Sequence, residues 1–183
     1  MGITRVINLY GGPGSGKSTL AAELFTLMKQ HHLSVELVTE YAKGWAWSGT
    51  PIDEFSQFYI LSKQFKQESR LYGKVDWIIT DSPLLMCSVY ECIQFRFDLC
   101  RVLMPQLISA RNHIKVIDHN VYLERVFPYR KEGRYQTEQE AMEVDREILR
   151  QIGRVPYYHS KSGPDRAAAV IKSIEVELNE QLF

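Results

Sequence analysis

The stretch from Asn8 to Leu20, NLYGGPGSGKSTL, constrains this chain more than any other. Gly11 to Ser18 satisfies the pattern G-x-x-x-x-G-K-S and lies between an apolar strand, Ile3 to Leu9, and a helix, Thr19 to Met28. Glycines at 11, 12, 14 and 16 free the backbone from Cβ clashes, so successive amides can turn inward around a phosphate. The helix that begins near Lys17 adds the positive end of its dipole. In such a loop the Lys17 ammonium reaches the β- and γ-phosphates, and the Ser18 hydroxyl ligates the Mg²⁺ that bridges them. Pro13, Ser15 and Thr19 complete the nucleotide-binding stretch.

With 183 residues, the chain fits one domain, 1–183, whose sheet is covered on both faces by helices. Its formal net charge is zero, which argues against polyanion binding through bulk charge and leaves room for a local basic patch. Cys87, Cys92 and Cys100 are odd in number, lack C-x-x-C spacing and fall in an apolar helical stretch, so they read as free thiols. No run is long and apolar enough for a bilayer, and Met1 to Arg5 leads straight into a strand without the regions of a signal peptide. The expected location is cytoplasmic, with no membrane partner.

Two carboxylates fall at strand ends. Ser34 to Thr39 reads as the second strand and delivers Glu40-Tyr41 to its carboxyl end, the ligand-binding edge of an open α/β sheet. Glu40 there can accept the proton of an attacking hydroxyl as general base. Lys74 to Thr80 reads as the third strand and ends in Asp81, a carboxylate placed to hold Mg²⁺ directly or through water.

Between these strands, AKGWAWSGT reads as a glycine-containing loop in which Trp45 and Trp47 could line a slot for a flat base, with Lys43 close by. Packing of one indole against the core is the competing reading. Thr50 and Pro51 read as the cap and first turn of a helix to about Arg70, on which Gln57 and Gln64 share a face and can read a base edge. Leu84 to about Asp118 is mostly helical, with a break around Glu91 to Phe97 and a bend at Pro105. His113 to Ile117 can be read as a short strand, but Asn120 to Glu124 is preferred for the fourth because it runs into RVFPYRKEGRY. In that segment, Arg125, Arg130 and Arg134 can close over a nucleotide as a lid of approximately 125–137. Thr137 and Glu140 form a capping box for a helix to about Ile152, Val155 to His159 is a last strand, and Ser162 to Arg166 starts the final helix.

GGPGSGKST, EYAKGW, ITDSPL, YLERVFPYRKEGRYQTEQEA and VPYYHS followed by GPDR together resemble the small phage and bacterial P-loop kinases related to nicotinamide-riboside kinase. The resemblance spans nearly the whole chain. It implies an α/β P-loop NTPase fold, with a five-stranded parallel sheet ordered 2-3-1-4-5, flanking helices and an arginine-rich lid. It also implies ATP and Mg²⁺ on Lys17 and Ser18, and acceptor and metal duties for Glu40 and Asp81. Arg125, Arg130 and Arg134 match lid arginines, and the loop from Gly163 to Arg166, with Gly163, Pro164 and Asp165 as nucleotide contacts, matches the segment beside adenine. Deoxynucleoside kinases usually carry Asp-Arg-Ser after the third strand, whereas Asp81 here is followed by Ser82 and Pro83. Some phage relatives phosphorylate 5-hydroxymethyluracil within DNA, so the acceptor could be a base taken out of the stack and held by Tyr41, Lys43, Trp45, Trp47, Gln57 and Gln64. A free nucleoside such as nicotinamide riboside suits the same slot, and a regulatory ATPase without a hydroxyl acceptor is a third reading.

Overall fold

The computed structural model describes residues 2–95, 98–125, 135–153, 155–161, 163, 165–179 and 181–182. Thr4–Tyr10 (β1) is the central strand; its side chains are buried from Val6 onward, as an aliphatic strand flanked on both faces requires. The elements that follow are α1 (Lys17–Gln30), β2 (Val35–Val38), α2 (Ala42–Ser48), α3 (Ser56–Ser69) and β3 (Trp77–Thr80). Next come α4 (Leu85–Phe95), α5 (Leu99–His113), β4 (Val116–Leu123), α6 (Glu138–Ile152), β5 (Tyr158–Ser160) and α7 (Arg166–Leu178). The strands form a five-stranded parallel sheet in the order β2-β3-β1-β4-β5. No described helix is long and apolar enough to cross a membrane.

On one face, Leu20, Leu24 and Met28 recur at helical spacing along α1 and meet Val170, Ile171 and Ile174 of α7 over Ile7, Leu9 and Leu123. Each such side chain contributes roughly 1.5–3 kcal/mol by leaving water. That packing pins α1, and therefore the glycine loop, to the sheet. On the other face, α4 and α6 bring Met86 and Val89 against Val144, Ile148 and Ile152, and a neighbouring cluster joins Ile60, Leu61, Cys87, Cys100 and Met104.

The fourth strand starts earlier than the sequence predicts, at Val116 and not Asn120, because β4 pairs with β1 along Thr4–Tyr10. Asp118, His119 and Asn120 disguise it as polar, yet each has a dedicated partner. Asp118 accepts from both terminal nitrogens of Arg111 (2.9 and 2.8 Å) and from Asn8, Asn8 also donates to Asn120, and His119 meets Glu177 at 2.8 Å. Arg111 further contacts the fully buried Glu68 at 3.5 Å, and Tyr72 donates to the same carboxylate at 2.8 Å. This polar chain ties α3 and α5 to the sheet. β3 and β5 are shorter than expected, beginning at Trp77 and Tyr158.

The stretch read as a tryptophan loop is the helix α2, ended by Gly49 in the left-handed conformation (φ 66°). Two residues apart on a helix, Trp45 and Trp47 diverge instead of closing on one base. α3 begins at Ser56, later than the Thr50–Pro51 cap predicts. The Asp53 carboxylate accepts from the Phe55 amide (3.1 Å) and the Ser56 hydroxyl (2.7 Å), which delays the helix by a turn. The break expected around Glu91 to Phe97 is not found over Glu91 to Phe95, which continue α4, while Arg96 and Phe97 lie outside the described residues; buried Glu91 accepts the Cys100 amide of α5 at 2.7 Å.

Candidate active site

The register of the sheet assembles the site. Asn8 pairs with Thr80 and Val38 with Thr80, so the residues just beyond β1, β2 and β3 emerge side by side. Those residues are the glycine loop, Glu40 and Asp81. Gly16 holds φ at 92°, the left-handed turn that starts α1 and that a side chain would oppose. Ser18 Oγ donates to Asp81 Oδ2 at 2.6 Å, and the Glu40 amide donates to Asp81 Oδ1 at 3.0 Å. Asp81 is 4% exposed, so this buried carboxylate fastens α1 to the β2 exit.

Lys17 Nζ curls back over its own loop, donating to the carbonyls of Gly11 (2.6 Å) and Gly12 (3.1 Å). Desolvation lowers its pKa below the usual lysine value, while Glu40, Asp81 and Asp145 pull it back up. A phosphate arriving at the loop supplies the anion that the ammonium otherwise borrows from two carbonyls. The Ser15 hydroxyl is fully buried and has no hydrogen-bond partner among the described residues.

Asp145 and Arg166 hold the loop from beneath. Asp145 of α6 accepts the Gly12 amide at 2.6 Å and Arg125 Nη2 at 2.6 Å. Arg125 also donates to the carbonyls of Pro13 (2.6 Å) and Ala141 (3.0 Å). A Cβ on Gly12 would lie 2.5 Å from the Asp145 carboxylate and 2.7 Å from the Ala141 carbonyl, so glycine is required here by close approach. Arg166, 8% exposed at the start of α7, donates to the carbonyls of Lys161, Ser15, Glu124 and Ser160. It thus gathers the ends of β4 and β5 to the loop. Asp145 carries no local signal, sitting in a charged helix like its neighbours, and Arg166 reads as part of a helix start and of the segment beside adenine, not as a brace of the loop.

From the loop, a cleft of about 320 Å³ runs between α2, α3 and α4. Its loop end is formed by Pro13, Gly14, Gly16, Lys17, Ser18 and Thr19. Beyond Glu40 it becomes apolar, with Ile52, Ile60, Met86 and Cys87, and it is bordered by Gln57, Gln94 and Tyr90. Gln57 donates to Gln94 at 3.3 Å, placing a pair of carboxamides at that wall. Burial pushes the Cys87 thiol well up, which makes it an inert wall. Tyr135 also lines the cleft and donates to the Thr50 carbonyl at 2.6 Å.

Of the residues predicted for the acceptor, Lys43, Trp47 and Gln57 line this cleft. The other three do not. Trp45 stacks on Tyr59 (centroids 5.6 Å apart) and Tyr41 meets both edge-on. Gln64, 0% exposed, accepts from the Tyr41 amide (3.1 Å) and donates to the Thr39 carbonyl (3.3 Å), so it braces the turn that carries Glu40. Gly11, Gly12 and Ser15 form the underside of the loop, and Arg125 is committed to that underside instead of to the cleft. Asp165 lies with Thr19 in an open groove between α1 and α7. Gly163 has open space around it, while Arg130, Arg134 and Pro164 lie outside the described residues, as does most of the predicted lid.

A parallel sheet in this order, with a G-x-x-x-x-G-K-S loop between β1 and α1 and an aspartate ending the adjacent strand, defines a P-loop nucleotide-binding protein. Residues 6–160 match the AAA domain family, and the chain belongs to it. A deoxyadenosine kinase from M. mycoides with products dCMP and dCDP bound superposes with a TM-score of 0.56 at 18% identity, covering 95% of this chain and 98% of that one. A NadR protein in complex with NR gives a TM-score of 0.70 at 15% identity over 95% of this chain. This chain spans about half of NadR, covering 49% of it. The deoxyadenosine kinase with bound dATP gives 0.56 at 20% identity, over 96% of this chain and 100% of that one. No curated protein sequence matches the chain. At these identities the likeness establishes the fold.

Proposed function

We propose that the protein is an ATP-dependent kinase that transfers the γ-phosphoryl group to a hydroxyl of a nucleoside-type acceptor. The observation that carries this reading is the placing of Glu40 on the wall of a cleft whose one end is the phosphate loop and whose other is an apolar, carboxamide-bordered pocket. A cleft of about 320 Å³ beside the loop has room for a second substrate, whereas hydrolysis alone needs only water. The folds of a deoxyadenosine kinase and of NadR support the same reading.

In this scheme the loop amides and Lys17 hold the triphosphate. Ser18 Oγ and the Asp81 carboxylate are adjacent hard oxygen donors, which suits Mg²⁺, and these residues would hold it. When bound, the ion offsets charge on the phosphate oxygens. Glu40 accepts the proton of the acceptor hydroxyl as its oxygen bonds to the γ-phosphorus and the bond to ADP breaks. Arg125 and Asp145 keep the loop in shape.

For the acceptor, we favour the 5-hydroxymethyl group of 5-hydroxymethyluracil in DNA, because the mouth of the cleft carries an exposed indole, Trp47, beside the exposed Lys43. A free nucleoside such as nicotinamide riboside is the second reading, favoured by the cleft volume and zero net charge. The test is incubation with γ-labelled ATP and free nucleosides, ordinary DNA or hydroxymethyluracil DNA in turn. Label on DNA only when the modified base is present supports the first acceptor, and label on a nucleoside supports the second. Release solely as inorganic phosphate with every acceptor refutes the kinase reading.

A further inference from the structure

α2 is too short to be stable as a free helix: it has seven residues, and none of them is buried. Yet Ala42, Lys43, Ala46 and Trp47, which share one face of it, all line the cleft. The helix also begins two residues after Glu40, so its placing decides how that carboxylate meets whatever fills the cleft. Contacts other than core burial must hold it.

Its first half is held against α3. Ala42 and Trp45 pack on the cluster that contains Ile60 and Leu61, and Trp45 stacks on Tyr59 with ring centroids 5.6 Å apart. The second half has no such packing: Trp47 is 69% exposed, and Ser48 and Gly49 are exposed beyond it. There the chain turns at Gly49, the Thr50 amide donates to the Trp45 carbonyl at 3.0 Å, and the Ser48 and Thr50 hydroxyls meet at 2.8 Å. This corner presents the Thr50 carbonyl to Tyr135, whose hydroxyl donates to it at 2.6 Å across 85 positions of sequence.

The far end of that bond is anchored too. Two residues after Tyr135, Thr137 caps α6 in a reciprocal box with Glu140, at 2.6 and 3.3 Å. The same helix holds the phosphate loop, through Asp145 and the Gly12 amide. The bond from Tyr135 to Thr50 therefore ties the α2 wall to the helix that shapes the phosphate end. Tyr135 itself lines the cleft, so the tie lies at the site and not behind it.

We propose that Tyr135 is a positioning residue of the acceptor site: its hydroxyl, through the Thr50 carbonyl, holds the carboxyl half of α2 in place as a wall of the cleft. This rests on the reading of the cleft as the acceptor site. In this role the phenol meets no reacting atom and acts through α2.

The experiment compares the full chain with Tyr135→Phe, which keeps the ring and removes only the hydroxyl. Hydrogen exchange followed by mass spectrometry needs neither ATP nor acceptor. Amides of residues 42–50 are expected to exchange about two- to tenfold faster in the variant, and those of α1 at the wild-type rate. Steady-state transfer is then measured with hydroxymethyluracil DNA and with nicotinamide riboside as acceptor. The acceptor KM is expected to rise about two- to tenfold, with kcat and the KM for ATP within about twofold of wild type. Unchanged exchange over residues 42–50 overturns the proposal whatever the kinetics. Faster exchange with an unchanged acceptor KM makes the bond merely structural and overturns the acceptor role, as does a fall in kcat alone. If neither protein labels any acceptor, the kinase reading fails and the acceptor role with it, while the exchange result still shows whether Tyr135 holds α2.

Discussion

Asp145 offers the sharpest test of how the phosphate loop is held. Its carboxylate accepts the Gly12 amide and two guanidinium nitrogens of Arg125, at 2.6, 2.6 and 3.3 Å, with side-chain exposures of 17% and 13% for the pair. Asp145→Ala removes the carboxylate that the arginine cation and the loop amide share, while Arg125 keeps the Pro13 and Ala141 carbonyls. Removing one member of a fully buried pair costs about 3–5 kcal/mol, and the partial exposure here reduces that to about 2–4 kcal/mol. At roughly 2–4 °C per kcal/mol for a chain of this size, the melting temperature should fall by roughly 5–15 °C. Urea unfolding followed by tryptophan fluorescence gives the free energy directly. Asp145→Asn, which keeps an acceptor for Gly12, should lose about half as much. ATP should bind about tenfold more weakly to Asp145→Ala, since the nucleotide must then order the loop itself. An Asp145→Ala protein within about 0.5 kcal/mol of wild type, with unchanged ATP affinity, would refute the idea that this clamp shapes the loop.

Four further outcomes follow from the site and its surroundings. Lys17→Ala should lose nearly all transfer, measured as labelled product at saturating acceptor, while thermal unfolding changes little. Asp81→Asn should lower turnover and raise the Mg²⁺ concentration needed for half-maximal rate; near-wild-type turnover at limiting Mg²⁺ would move metal binding elsewhere. Glu40→Gln should retain ATP binding by calorimetry but drop the single-turnover rate by about 10²-fold or more, and an unchanged rate would assign the base to another group. Burial raises Glu68 from 4.5 to about 7. The folded state therefore holds this proton more tightly than the unfolded state, so stability from it is full below about pH 4.5 and is lost as pH rises to about 7, by up to about 3 kcal/mol. Glu68→Gln should remove that part of the difference between urea unfolding at about pH 5 and at about pH 8; identical pH profiles for the two proteins would show Glu68 to be ionised throughout.

The loop, Glu40, Asp81 and the capping box at Thr137 were legible because each is encoded within a few residues of itself: a glycine pattern, an apolar strand ended by an acid, a threonine three before a glutamate. Asp145 and Arg166 were not, since they act on carbonyls and amides that are distant in the chain and their own helices give no sign of it. The start of β4 was hidden by Asp118, His119 and Asn120, whose polarity is satisfied by α5, α7 and β1. Gln57 and Gln64 did share a face, as their spacing requires, but which lines the cleft depends on the placing of α3 against β2. α2 is disguised in the sequence by Gly44 within it and Gly49 at its end, and it is this helix that separates Trp45 from Trp47.

Arg166 has a consequence for the order in which the protein is made. The phosphate loop leaves the ribosome before α7 does, yet one of its carbonyls, at Ser15, reaches an arginine made 151 residues later. Until α7 docks, the ends of β4 and β5 lack the Arg166 guanidinium that joins them, and the loop lacks one of its braces. ATP binding is therefore expected to strengthen once α7 has docked, because only then does the loop gain this brace.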